Sequence, residues 1–285
     1  MGDALRPLWD FDDLDATERR FRERLDDPDS SEHAEILTQL ARVEGLRGRF
    51  DQGERLLEEA ARVGDPSARA AIRIELERGR LRRSGGDREA AYVMFEAAYG
   101  AAVEAGEQFL AVDAAHMAAV AAPDRRGMQT WTQTGIEIAE NSVDPQVSRW
   151  LGTLLNNLGW DHFEAGEFEA ALEVFGQALT AREQYPEDSA QIEIARYAVG
   201  KTLRALGRSA EAAVMLERSV AWTNAVGAPD GWFHEELAED YAALDRLDEA
   251  SQQAALAIPL LQAADPGFEA DTERAARMRA LAGEF

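Results

Sequence analysis

Residues 154–183, LLNNLGWDHFEAGEFEAALEVFGQALTARE, decide the fold of this chain. Small and apolar residues recur three, four or seven positions apart in two runs: Leu155, Leu158, Gly159 and His162, then Ala171, Phe175 and Ala178. Such spacing places side chains on one face of a helix. Gly166 stands between the runs, where a helix end favours the left-handed conformation that glycine adopts without strain. The stretch therefore predicts two helices folded back on each other.

Copies of this hairpin are expected, because two helices alone cannot bury their apolar face. The small residue near the start of each predicted second helix falls at Gly53, Ala91, Gly127, Ala171, Ala212 and Ala250. The intervals are 38, 36, 44, 41 and 38 residues. The third copy is the least regular. We predict Ala114, Ala115 and Ala118 in its first helix and Gly127, Trp131 and Thr134 in its second, with a break at Pro123.

The residues of the fourth copy resemble a tetratricopeptide repeat (TPR). The resemblance rests on Leu155, Leu158, Gly159, Gly166, Ala171, Phe175 and Ala178, with His162 where Tyr is usual and Glu183 where Pro is usual. The intervals exceed the roughly 34 residues of a standard repeat. They are similar to those of kinesin light chains and of many bacterial regulatory TPR proteins. The resemblance implies an all-α fold, a right-handed α-solenoid of about six TPR hairpins with a capping helix at each end.

The predicted organisation is one continuous solenoid domain. Residues 1–31 form an acidic segment and a capping helix, in which residues 15–18 (DATE) read as a helix start and Pro28 as its end. Six repeats follow over residues 32–262: about 32–66, 67–105, 106–142, 148–185, 189–227 and 230–262. Residues 263–285 contain the second capping helix, whose apolar positions are Ala275, Met278 and Leu281. Solenoids need such caps because a terminal repeat exposes a face built for a neighbour.

Composition narrows the class of protein. The 285 residues carry 54 acidic and 30 basic side chains, a net charge of -24, and no cysteine. That charge disfavours nucleic acid and anionic membrane as partners. Disulfides and cysteine-based metal sites are excluded. Because no long apolar run occurs and the first residues are acidic, we expect a cytoplasmic protein without a membrane anchor.

Catalytic chemistry finds no support in the sequence. The four histidines, His33, His116, His162 and His234, do not have the spacing of a zinc site. The glycine-rich pieces lie between helices and lack the GK[ST] of a phosphate loop. Asp10, Asp12, Asp13 and Asp15 lack the glycine and distal glutamate of a calcium loop, so a solvated helix entry is the better interpretation. We predict no enzyme, no catalytic residue, no metal and no cofactor.

A binding surface is the remaining prediction. In the TPR family the first helix of each pair lines a concave groove. Counted so that Gly159 and its equivalents hold the eighth position, the second, fifth, ninth and twelfth positions face that groove. The projected binding residues are Arg42, Arg80, Arg83, His116, Asn156, Asn157, Trp160, Phe163, Tyr197, Lys201, Arg204 and Trp232. The same projection includes Thr38, Arg73, Phe109, Thr153, Glu235 and Glu239.

The chemistry of this projected face favours a peptide or protein ligand with acidic and apolar groups. Guanidinium groups fork onto carboxylates, amides hold a peptide backbone, and aromatic rings take apolar side chains. A structural interpretation stands beside it, in which the arginines pair with glutamates of adjacent helices and Trp160 packs in the coil. We therefore expect a non-catalytic protein-binding scaffold. The alternatives are a regulatory sensor for a small peptide or metabolite, and a self-assembly module that forms a homo-oligomer.

Overall fold

The computed structural model describes residues 3–26, 32–63 and 67–283, and all regular structure in these ranges is helical. The helices are α1 Leu14–Leu25, α2 His33–Leu46, α3 Phe50–Arg62, α4 Ala68–Ser84, α5 Arg88–Glu104, α6 Gln108–Ala121, α7 Arg125–Glu140, α8 Pro145–Ser148, α9 Trp150–Glu164, α10 Phe168–Glu183, α11 Ser189–Ala205, α12 Ser209–Ala225, α13 Gly231–Ala243, α14 Leu247–Ala264 and α15 Thr272–Ala282. A short 3-10 turn covers Arg6–Leu8. The predicted helix end at Pro28 and the predicted boundaries at residues 31 and 66 lie outside the described residues.

The chain divides into two compact units, Met1–Leu154 and Leu155–Phe285, and each is described by itself. In unit 1 the consecutive pairs α2/α3, α4/α5 and α6/α7 pack as hairpins, and the first helices of successive hairpins also touch. In unit 2 the pairs α11/α12 and α13/α14 do the same, and α15 packs on α14. Ala275, Met278 and Leu281 of α15 join the apolar cluster of α13 and α14. No described helix combines the length and the apolar character needed to span a bilayer.

Small residues let the two helices of a hairpin approach. A Cβ atom added to Gly159 would lie 2.5 Å from the ring of Phe175, and one added to Gly79 would lie 2.5 Å from the ring of Phe95. Both rings are fully buried. The glycine therefore makes the space that the aromatic ring of the second helix fills, which is why the TPR-like pattern pairs the two residue types.

The hairpin turns use the left-handed conformation. Gly166, between α9 and α10, has φ of 75°. The sixth hairpin has no glycine at the corresponding site, and Asp245 adopts φ of 59° there. Aspartate is among the few other residues that tolerate this region, so the turn forms at a small conformational cost.

The first helix begins two residues earlier than the sequence pattern indicates. Asp13 is its N-cap, and the Asp13 carboxylate accepts a hydrogen bond from the backbone N–H of Ala16 at 2.8 Å. The prediction that Asp15 caps the helix with Glu18 is wrong. Glu18 instead pairs with Arg22 at 2.7 Å and with Arg47, the C-cap residue of α2, because two arginines compete better for its carboxylate than a backbone N–H does.

The third hairpin keeps the architecture with a shifted register. Every other second helix has its small buried residue at the fourth helical position, and in α7 that position is Met128, not the predicted Gly127. The residues of α7 that are buried are accordingly Thr132, Gly135, Ile136 and Ala139, while the predicted Trp131 and Thr134 are half-buried. The sequence pattern places the small residue of this helix at Gly127 because Gly127 is small and Met128 is not. The break at Pro123 is confirmed, since α6 ends at Ala121.

Candidate peptide-binding surfaces

Three of the predicted binding arginines line one pocket in unit 1. Arg42 of α2 and Arg80 and Arg83 of α4 surround a space of about 410 Å³, together with Phe50 and Met117. The regular repeat of the first helices brings them together, because Arg42 and Arg80 hold the same ninth position in consecutive repeats. The pocket therefore combines guanidinium groups with apolar side chains, as the sequence indicates for this face.

Buried acids accompany these arginines. Arg80 pairs with Glu77 of its own helix and with Asp113 of α6 at 2.5 Å, while Arg42 lies 3.9 Å from Glu77. Glu77 is 2% exposed and Asp113 is 5% exposed. Two of the three positive charges are thus largely neutralised within the protein. Arg80 and Arg42 therefore pair with acidic residues of the protein itself, as the structural interpretation of these positions states.

Electrostatics fix the charge states in this pocket. Burial and the neighbouring Arg80 lower the pKa of Arg42 to about 10, so Arg42 still carries its charge near neutral pH. Burial opposes the charge of Asp113, but Arg80 and Arg42 outweigh it and hold the pKa of Asp113 below its ordinary value. Burial lowers the pKa of His116, and the opposing effect of the Asp113 charge is smaller. His116 is therefore neutral near pH 7, with its ring 5.3 Å from that of Trp150.

Arg83 differs from the other two arginines. Its side chain is exposed at the rim of the pocket, and no ion pair holds it within the described part of the chain. Three guanidinium groups face two carboxylates, so the pocket keeps one positive charge at an accessible position. An exposed, unpaired arginine can meet a carboxylate of a ligand without first breaking an ion pair within the protein.

Unit 2 repeats the same arrangement. Glu236 of α13 is 2% exposed and pairs with Lys201 and, at 2.7 Å, with Arg204, both on α11. Burial opposes the charge of Glu236, but the two cations outweigh it and lower its pKa. Tyr197 stacks on Phe233 with ring centroids 5.2 Å apart, and burial raises its pKa, so its hydroxyl stays protonated. Tyr197, Lys201 and Arg204 therefore form one cluster around Glu236.

The remaining predicted residues of unit 2 pack in different places. Trp160 meets Phe163 and the buried Phe175 edge to face, with centroids 5.4 and 5.1 Å apart. Asn156 and Asn157 lie one turn earlier on α9 and are half-buried. Trp232 packs against the cluster formed with α15. A second pocket, of about 560 Å³, contains Arg204 with Ser209, Glu239 and Leu244.

Thr38, which the projection places on the binding face, is fully buried and donates a hydrogen bond to the carbonyl of Glu35. The fifth position points inward in this unit, since Leu76 and Val112 are also buried there. Thr38 is therefore a packing residue.

The projection missed the acids because they stand at the sixth position. That position carries Gln39, Glu77, Asp113, Asn157, Ala198 and Glu236 along the six repeats. In each unit a base at the ninth position pairs with the acid at the sixth position of the next repeat: Arg42 with Glu77, Arg80 with Asp113, and Lys201 with Glu236. We call this the six–nine pairing. A polar sixth position in five of six repeats is the sequence signal that could have revealed it.

Comparisons with known proteins agree with this fold. The family model described as tetratricopeptide repeat matches residues 150–224. No curated protein matches the chain by sequence. Among solved structures, the chain is similar to a signal transduction ATPase with numerous domains, from Pyrococcus horikoshii, that has a tetratricopeptide repeat sensor. The TM-score is 0.75 at 17% identity over 95% of this chain, which spans 42% of that protein.

Two further structures have related folds. The apo form of RapI gives a TM-score of 0.74 at 12% identity, covering 95% of this chain and 77% of RapI. NprR in complex with its cognate peptide NprX gives 0.52 at 15% identity, covering 97% of this chain and 81% of NprR. The described chain is thus all-α, with consecutive helices packed in pairs as in these TPR structures, and the tetratricopeptide repeat model matches residues 150–224. Such repeats are generally binding scaffolds rather than catalytic domains.

Within the described residues, no three histidine, aspartate or glutamate side chains are placed to hold a metal ion. His162 makes a 2.6 Å contact with Glu167 across the turn between α9 and α10. Asp13 and Asp10 accept hydrogen bonds from backbone N–H groups at the start of α1. These polar residues have structural partners.

Proposed function

We propose that this protein is a non-catalytic scaffold that binds a peptide or protein segment carrying acidic and apolar groups. The observation that carries the proposal is the pocket of unit 1, in which the exposed Arg83 stands beside apolar side chains and two half-buried, paired arginines. The buried pairs fix the shape of the pocket. Arg83 supplies the accessible charge, and Phe50 and Met117 supply apolar surface.

Magnitudes support an acidic ligand. An exposed ion pair with Arg83 contributes about 0.2–1 kcal/mol, and charge reversal at Arg83 adds a repulsion of about the same size, so the two together correspond to roughly tenfold in affinity. A basic ligand would meet the guanidinium of Arg83 without a free carboxylate nearby, because Glu77 and Asp113 already bind Arg80. The net charge of -24 would raise the rate of encounter with basic surfaces elsewhere, so the selectivity for acidic groups is local to this pocket.

A regulatory sensor is the second candidate. It is supported by the similarity to the P. horikoshii protein with its tetratricopeptide repeat sensor and to NprR in complex with its cognate peptide. Both candidates use the same kind of site, and they differ in whether binding changes the activity of another protein. The absence of catalysis, the cytoplasmic location, the lack of nucleic-acid or membrane partners, and the oligomeric state stay predictions.

The test compares two adjacent arginines. Arg83 lines the pocket, whereas Arg82 is also exposed on α4 and does not line it. We expect Arg83→Glu to weaken binding to an array of short acidic–apolar peptides by roughly tenfold, while Arg82→Glu leaves it unchanged. Both variants should melt like the unmodified protein. Equal losses in both variants, or a preference for basic peptides, would show that this pocket is not the binding site.

A further inference from the structure

The N-terminal segment, residues 3–11, packs against α1, α2, α4 and α8, and we call the surface that it covers on these helices the inner surface of unit 1. Leu5 is 2% exposed and packs with Phe21 of α1 and with Ile36 and Leu40 of α2. The indole N–H of Trp9 donates a hydrogen bond to the side chain of Gln39 at 2.9 Å. A segment that only covered the end of the first repeat would need no more than these contacts with α1 and α2.

Asp3 reaches further than a cap requires. Its carboxylate lies 2.7 Å from a guanidinium nitrogen of Arg73 on α4, and both side chains are buried. Its backbone N–H donates to the side-chain oxygen of Gln146 on α8, and the Gln146 amide donates back to the Asp3 carbonyl at 3.4 Å. The segment therefore contacts the second repeat and the short helix that follows the third.

Two partners of the segment, Arg73 and Arg42, are residues of the predicted binding face. Arg73 holds the second position of its repeat, a position projected to face a ligand. The Arg42 guanidinium lies 5.3 Å from the Trp9 ring centroid and 5.6 Å from that of Phe11, and Arg42 also lines the pocket that contains Arg83. The segment thus occupies the place of an acidic–apolar ligand, with the carboxylate of Asp3, the buried side chain of Leu5 and the rings of Trp9 and Phe11.

We propose that this inner surface of unit 1 recognises segments of the form Asp-x-Leu-x3-Trp, and that the chain's own residues 3–9 occupy it at rest. A partner segment of the same chemistry binds by displacing them. The acidic residue pairs with Arg73, the leucine enters the space between α1 and α2, and the tryptophan stacks on Arg42. The inference rests on the proposed binding function of this face.

Competition within the chain sets the expected size of the effect. A tethered segment has an effective concentration of roughly millimolar, so a free peptide at micromolar concentration competes poorly. The apparent affinity falls by the fraction of molecules whose surface is open. Releasing the segment should therefore raise the affinity for a free copy of it by about tenfold or more.

The test uses the full chain and a labelled peptide with the sequence of residues 1–13, MGDALRPLWDFDD. Fluorescence anisotropy compares the unmodified protein, the released variant Asp3→Lys/Leu5→Asp, and that variant with Arg73→Glu added. We expect binding to the released variant that is about tenfold tighter than to the unmodified protein, and loss of that gain with Arg73→Glu. A control peptide carrying the Asp3→Lys and Leu5→Asp changes should not bind. Equal binding by the released and unmodified chains, or by both peptides, would overturn the proposal.

A second measurement decides the matter if the released variant fails to fold. In the unmodified chain the N–H groups of Leu8 and Trp9 donate to the carbonyls of Leu5 and Arg6. Saturating peptide should accelerate hydrogen exchange at both amides, and unchanged exchange would refute displacement. If the protein forms dimers and the added peptide dissociates them, the segment on the surface comes from a second copy of the chain. That outcome would contradict the proposal. If the displacement experiments fail but Arg83→Glu still binds acidic–apolar peptides more weakly than Arg82→Glu does, the proposed function stands and only this inference is wrong.

Discussion

Arg80 on α4 and Asp113 on α6 lie 33 positions apart in the chain, and their side chains meet at 2.5 Å across two consecutive repeats. Both are largely buried, and Asp113 balances the charge that Arg80 brings into the interior. The six–nine pairing is therefore a contact between repeats, and it joins neighbouring first helices in addition to their apolar packing.

Removing one partner of this pair should be costly, because it leaves an uncompensated buried charge. We expect Asp113→Ala to lower the free energy of unfolding by about 3 kcal/mol. Urea denaturation at pH 7 measures this. Glu104→Ala, an exposed change on α5, is the control and should stay within about 0.5 kcal/mol. Equal, small effects of both changes would contradict a structural role for the pair.

The same pair makes stability depend on pH in acid. The folded pKa of Asp113 lies below its ordinary value of 3.8, because Arg80 and Arg42 outweigh the effect of burial. Its contribution is present above the unfolded pKa and is lost as pH falls through the folded pKa. The stability difference between the unmodified protein and Asp113→Asn should therefore shrink as pH falls below 4, measured by urea denaturation across pH. A constant difference would argue against the ion pair.

Two glycines of unit 2 should respond oppositely to alanine. Gly159→Ala places a methyl group against the buried Phe175 ring and should destabilise by about 1–3 kcal/mol, since the packed ring has no room to move. Gly176 lies in α10 with open space around its Cβ position, so Gly176→Ala should stabilise by up to about 1 kcal/mol. Thermal melts of the two variants give the comparison. Similar shifts in the same direction would show that helix propensity alone governs both sites.

Asp240 on α13 should weaken the fold as pH rises. It is fully buried, and burial raises its pKa to about 7, with Glu236 and Glu239 adding to the shift. Between about pH 4 and 7 the folded state keeps a proton that the unfolded state has released, so stability falls with increasing pH over that window. Asp240→Asn cannot titrate. It should exceed the unmodified protein in stability by on the order of 2 kcal/mol at pH 8, and the excess should vanish near pH 4. Parallel stability curves would refute this.

Glu236→Gln should make unit 2 a stronger binder of acidic peptides. The change leaves the charges of Lys201 and Arg204 without their shared carboxylate. We expect tighter binding of an acidic peptide, with a steeper decrease as salt is added, together with some loss of stability. Glu173→Gln, exposed on α10, alters the net charge equally and serves as the control. A matching gain in both variants would assign the effect to net charge alone.

Local patterns account for what could be predicted from the sequence. The spacing of Gly159, Ala171 and Phe175 specifies a hairpin because helix faces and turns depend on residues close in the chain. The register of α7 was predicted one residue off because Met128 stands where every other second helix has a small residue, and Gly127 precedes it. Flexible methionine fills that site without a recognisable signature.

The sequence predicts which basic residues lie on the binding face, but it does not predict the acidic residues that pair with them. Projection onto one helix identified Arg80 and Lys201, but the pairing with Asp113 and Glu236 depends on how successive first helices align. The contact between Asp3 and Arg73 was beyond any periodic pattern, because the N-terminal segment belongs to no repeat. Side-chain contacts over such separations depend on how the helices of the unit pack together, so the local periodicity of the sequence does not predict them.

The contact of Asp3 with Gln146 also constrains the order of events during synthesis. The N-terminal segment leaves the ribosome before the hairpins that it contacts, and one of its hydrogen-bonding partners lies 143 residues later. At about 5–20 residues per second, the segment waits roughly 7–29 s for that partner to be made. The early hairpins can fold during this interval, because their contacts are between neighbours. Until Gln146 is made, the segment is held only by its contacts with α1, α2 and α4, so a segment from another nascent copy on the same messenger competes against fewer contacts than it would later.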